Sequence, residues 1–247
     1  MLSRRELLKT GAIATTSLVS FSTLFGLGNT LAQDSTAEPS AEPSEGDDVA
    51  TILNLAATAE TLACTMYYSV LSAAEIPFKE VDVIYITAAL DAELQHLEFL
   101  NANGGKTLAE DFYFPTNMFT DITVFVPTAE ALETAFVAAY LAATRRAAEL
   151  GNPLLATTAA QVAAIEAQHL ALVRLVGDEQ PANNISLAEA KIYNVSEAGP
   201  LLKPFLEGGD NFAGPETYLG AEEIRNILGD NHILSILPAT DPKAFPK

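Results

Sequence analysis

Glu93-Leu94-Gln95-His96-Leu97 recurs later in the chain as Glu166-Ala167-Gln168-His169-Leu170. The chain has only three histidines. Two of them occupy this one context, and the third is His232. In an α-helix, residues i and i+3 project from the same face. Each motif therefore aims one carboxylate and one imidazole in a single direction. Two such helices facing each other bring two carboxylates and two imidazoles to one place.

A second matched pair lies ahead of each motif. Glu60 is followed seven residues later by Tyr67, and Glu133 by Tyr140. Around Glu60 stand Ala56, Ala57, Ala63 and Cys64, and around Glu133 stand Ala129, Phe136 and Val137. Each glutamate is a lone acid on an otherwise small or apolar face. A carboxylate buried there is costly unless it is paired or binds a metal. The chain thus reads as a degenerate repeat, Glu-x6-Tyr and then Glu-x-x-His, twice over. Glu130 is a rival to Glu133 one turn further out, without a tyrosine seven residues on, and reads at most as an accessory ligand.

These residues fall on four apolar helical segments. The first spans about Val49 to Ala74 and stops before Pro77. The second spans about Phe78 to Asn103 and stops at Gly104-Gly105, a helix C-terminal signal. The third is expected to begin after Pro127, with Thr128 as N-cap, and to end at Gly151. The fourth spans about Pro153 to Val176 and ends at Gly177. Short links make the first pair and the last pair antiparallel neighbours, and residues 104–127 form one long crossover between them. Counted from the two tight turns, Glu60, Glu93, His96, Glu133, Glu166 and His169 fall within roughly a turn of one level at about 1.5 Å per residue. The expected architecture is all-α: a four-helix bundle of two antiparallel hairpins over residues 49–177.

The flanks read differently. Ser3-Arg4-Arg5-Glu6-Leu7-Leu8-Lys9 precedes an uncharged stretch from Thr10 to Leu31, and Thr30-Leu31-Ala32 offers small residues for cleavage. Residues 1–32 resemble a twin-arginine signal peptide, which implies export to the periplasm or cell envelope. A retained membrane anchor is the alternative. No cysteine follows this stretch, so a lipid anchor on a mature N-terminal cysteine is excluded. Residues 33–48 hold the tandem Ala-Glu-Pro-Ser-Ala-Glu-Pro-Ser and read as a disordered acidic tether. Residues 178–247 read as an irregular C-terminal extension, with helices expected only at Leu187–Glu197 and Glu216–Leu228.

The net charge is −19 over 247 residues. Without residues 1–32, 10 basic and 31 acidic side chains remain, a net −21. Such a chain repels phosphate backbones, which argues against a nucleic-acid partner. The single cysteine, Cys64, rules out an internal disulfide and any cysteine-based zinc or iron–sulfur site. Cys64 reads as a small buried hydrophobe and His232 as a surface residue.

The paired motifs resemble the ferritin-like superfamily, which includes bacterioferritins, rubrerythrins and exported ferritin-like proteins related to desiccation proteins. The resemblance covers about Val49 to Val176. It implies a centre of two iron or two manganese ions, with metal ions and O2 or peroxide as partners. Carried over by position, it implies Glu60 and Glu133 as terminal ligands, Glu93 and Glu166 as bridging ligands, and His96 and His169 as nitrogen ligands. Tyr67 and Tyr140 match tyrosines beside the ligands and are the candidate catalytic residues. Two features depart from the pattern. A rubredoxin-like four-cysteine site is impossible with one cysteine, and the signal, tether and extension do not suit a closed storage cage. The sequence leaves open peroxidase, oxidase or catalase-like turnover, metal binding without turnover, and a protective bundle in the envelope. It also leaves open iron against manganese and the oligomeric state, with a homodimer among the options.

Overall fold

The structure is a computed structural model that describes residues 46–245. The expected signal peptide, and all but the last residues of the expected tether, lie outside the described residues. The fold lies within one compact unit, Pro43–Lys247.

Four long helices form in the expected order. Helix α1 (Val49–Ala73) starts at Asp48, whose carboxylate accepts from the Thr51 backbone N–H at 2.7 Å. Such a cap satisfies one of the four N–H groups a helix start leaves unpaired. Helix α2 (Glu80–Ala102) starts where Asp82 accepts from the Lys79 N–H at 3.0 Å. It stops at Gly104, which has φ of +93°. A Cβ on the next residue, Gly105, would meet the Leu53 carbonyl oxygen at 2.9 Å. The glycine pair therefore lets the chain turn tightly against α1.

Helix α3 (Ile122–Glu149) begins six residues earlier than Thr128. Asp121 is the cap, accepting from the Thr123 N–H at 2.8 Å and from its hydroxyl at 2.7 Å. Pro127 thus lies inside the helix rather than before it. It withholds the N–H that would reach the Thr123 carbonyl, but the capped turn and the buried Phe125, Val126 and Ala129 hold the helix through it. Helix α4 (Pro153–Val176) has Pro153 at its first position and Asn152 as cap, accepting from the Leu155 N–H at 3.1 Å.

The crossover climbs along α1. Asn54 accepts from the Lys106 N–H at 2.8 Å, and Thr58 accepts from the Leu108 N–H at 2.9 Å. It then forms strand β1 (Asp111–Pro115), which the sequence did not signal.

The extension supplies the partner. A short 3-10 turn (Val195–Ala198) leads into α5 (Gly199–Glu207). Strand β2 (Phe212–Thr217) and helix α6 (Ala221–Leu228) follow. Strand β2 pairs antiparallel with β1, from Asp111 opposite Thr217 to Pro115 opposite Phe212, with an irregularity between Phe112 and Phe114. Phe112, Phe114, Phe205, Ile224 and Leu228 are all fully buried. Helix α6 lies on the first hairpin, where Tyr68 donates to Glu223 at 3.2 Å and Arg225 pairs with Glu98. Two expectations need correcting. Leu187–Glu197 is not a helix beyond the 3-10 turn, and the helix expected over Glu216–Leu228 shortens to Ala221–Leu228 because its first residues are drawn into the strand.

Candidate metal centre

Each helix of the bundle contributes to one buried cluster: Glu60 from α1, Glu93 and His96 from α2, Glu133 from α3, Glu166 and His169 from α4. His96 is the most open of the six, with its side chain 14% exposed. All six fold into the same place for the reason their spacing gives. The glutamate and histidine of each motif share a helix face, and the hairpin turns set the faces level.

The geometry has an approximate two-fold pattern. His96 Nδ1 lies 3.2 Å from Glu166 Oε1, 3.3 Å from Glu93 Oε2 and 3.7 Å from Glu60 Oε2. His169 Nδ1 lies 2.9 Å from Glu93 Oε1, 3.2 Å from Glu166 Oε2 and 3.9 Å from Glu133 Oε2. Two sets of donors result. One is Glu60, Glu93, His96 and Glu166; the other is Glu93, Glu133, Glu166 and His169. Within each set, one donor atom per residue lies within 4.8 Å of every other. Glu93 and Glu166 belong to both.

The tyrosines sit beside the cluster and cross between hairpins. Tyr67 of α1 donates to Glu133 Oε1 of α3 at 2.5 Å, and Tyr140 of α3 donates to Glu60 Oε1 of α1. Each phenol therefore fixes the glutamate of the opposite half, not the one seven residues before it. Sequence spacing identified the residues and missed the exchange of partners, which follows from the antiparallel packing of α1 against α3. Glu130, in contrast, is not part of the cluster. It accepts from Arg174 Nε at 2.6 Å, and that guanidinium also donates to Asn184.

Electrostatically the cluster is unbalanced. Burial, then the negative charges of Glu93 and Glu166, push Glu60 well above the usual carboxylate range. Burial and the charge of Glu93 do the same to Glu133. Burial would also raise Glu93, but the charge of His169 close beside it and the hydrogen bond of His96 bring it net below that range. Burial opposes charging of both imidazoles, yet Glu60 beside His96 and Glu93 beside His169 hold them well above the usual histidine value. Burial and the adjoining carboxylates push both phenols upward, so each remains a hydrogen-bond donor.

The residues fit a cation. Glu93 Oε1, Glu133 Oε2 and Glu166 Oε1 are fully buried and accept no hydrogen bond. The imidazole nitrogens approach two of these oxygens, but without the alignment an N–H donor needs. Buried carboxylate oxygens left this way cost several kcal/mol each in free energy, on the order of the desolvation penalty of an ion, unless a charge of opposite sign meets them. Carboxylate and imidazole donors together suit divalent first-row metals.

A family profile described as ferritin-like domain matches residues 48–179. That span is more than half the chain, and the protein belongs to the ferritin-like domain family. No curated protein and no solved structure matches the chain.

Proposed function

We propose that the cluster binds two iron or two manganese ions and that the protein acts on O2 or peroxide there, in oxidative-stress defence outside the cytoplasm. The observation that carries this reading is the set of three hydrogen-bond-free buried carboxylate oxygens facing two imidazole Nδ1 atoms.

A pair of redox-active ions, when bound, supplies two-electron exchange with a small oxidant. The chain's residues do the rest. Glu93 and Glu166, common to both donor sets, would serve both ions, and Glu60 and Glu133 one each, with His96 and His169 as the nitrogen ligands. Four carboxylates balance the charge of two divalent ions. Tyr140 and Tyr67 orient Glu60 and Glu133 and stand ready as local donors of a proton or an electron. The surrounding alanine, leucine and valine side chains exclude large substrates.

Export by the twin-arginine signal at residues 1–32 is part of this proposal and rests on the sequence alone. The test of the metal reading is elemental analysis of purified protein after reconstitution with Fe(II) or Mn(II), followed by O2 and peroxide consumption. Two ions per chain and turnover above the rate of free metal support the reading. Two ions without turnover support a metal-binding bundle instead, and no bound metal overturns both.

A further inference from the structure

Beside Tyr140 lies an apolar cavity that none of the six cluster ligands lines. Its floor is Ala56 and Ala59 of α1 with Ala139 and Tyr140 of α3, and its roof includes Val195 and Leu202 from the extension. The 3-10 turn that forms the roof packs on both α1 and α3. It is fastened there: Asp47 accepts from the Ser196 N–H at 2.9 Å, and the Arg145 guanidinium stacks 3.4 Å over the Tyr193 ring.

We propose that this cavity is a dioxygen site that supplies the metal cluster, which makes O2 rather than peroxide the oxidant taken from this side. The inference rests on the metal reading above. Three observations carry it. The cavity volume is about 20 Å³, room for a molecule the size of water or O2. Apolar side chains line it, so water and peroxide find no partners for their hydrogen bonds, whereas O2 needs none. Its inner wall is the Tyr140 ring, whose hydroxyl is bonded to Glu60. A molecule in the cavity is thus one side chain from the cluster. The polar side of the cluster is elsewhere, at His96, the most open of its six residues.

Xenon binds dry apolar cavities and reports this one without metal or turnover. In methyl NMR spectra of the full chain under xenon, the Val195 and Leu202 methyls should shift. Ala139→Leu fills the floor and should abolish those shifts. Leu202→Ala widens the roof and should enlarge the xenon effect on Val195, which keeps the test decisive if the first variant fails to fold. Loaded with Fe(II), Ala139→Leu should oxidise several-fold more slowly with O2 and at an unchanged rate with peroxide. Absence of xenon shifts overturns the proposal. So does equal slowing by both oxidants, which would place the effect on the metal cluster itself. A chain that binds xenon here but takes up no metal overturns the metal reading and the supply role while leaving the gas cavity standing.

Discussion

Tyr140 donates its hydrogen bond across the bundle to Glu60, a residue of the other hairpin, and not to Glu133 on its own helix. Tyr67 does the converse with Glu133 at 2.5 Å. Each half of the chain therefore sets the position of a carboxylate in the other.

The sharing of Glu93 and Glu166 between the two donor sets predicts unequal effects on metal content. Glu93→Ala and Glu166→Ala should each abolish binding of both ions. Glu60→Ala and Glu133→Ala should each remove one of two. Glu130→Ala should leave both, because Glu130 is bonded to Arg174. Elemental analysis per chain checks this, and equal loss in Glu60→Ala and Glu166→Ala would contradict the bridged arrangement.

Stability of the metal-free protein should fall as pH rises. Glu60, Glu133, His96 and His169 all bind protons more tightly in the fold than in the unfolded chain. A raised value contributes stability that is complete below the unfolded value, about 4.3 for Glu and 6.5 for His, and that is lost as pH passes through the folded value. Glu93 works the other way, since its depressed value contributes stability that acid removes. With four groups against one, the melting midpoint of metal-free protein should decline from about pH 6 to 8. Metal replaces those protons, so loaded protein should show little decline. Calorimetry with and without chelator distinguishes the two.

The extension should be needed for a stable fold. Phe205 is fully buried against Phe114, with ring centroids 6.0 Å apart, and against Phe212 at 5.4 Å. Phe205→Ala should lower unfolding free energy by about 3–5 kcal/mol, measured in urea, with two ions still bound. Truncation after Gly177 also removes β2, leaving β1 an unpaired edge. That shorter chain should melt at lower temperature and aggregate.

Replacing Arg4 and Arg5 together by lysine keeps the charge but removes the guanidinium groups. Because a twin-arginine receptor reads those groups and not charge alone, the variant should stay in the cytoplasm, as cell fractionation would show. Normal export would favour the general secretory route or a membrane anchor.

The six cluster residues were legible because histidine is scarce and its context repeats. Two glutamates on bland faces completed a set whose spacing already fixed a common level. Helix ends written by Asn152-Pro153 or Gly104-Gly105 were equally clear. Pro127 misled, because a proline signals a helix start only when no better cap precedes it, and Asp121 does. The extension was opaque for a different reason. Strand β2 contains Gly214 and Pro215, which argue locally against a strand, and it exists through pairing with β1, about a hundred residues away. The partner exchange of the tyrosines likewise depends on how two helices face each other, which no single segment encodes.

The two hairpins are chemically alike: each supplies two glutamates, one histidine and one tyrosine. Neither can assemble the cluster alone, since every tyrosine–glutamate bond and both donor sets span the divide. Yet one hairpin set against a copy of itself would present the same inventory. The crossover keeps these two matching halves in one chain, so the cluster forms within a single molecule at any concentration, with no second copy to be met.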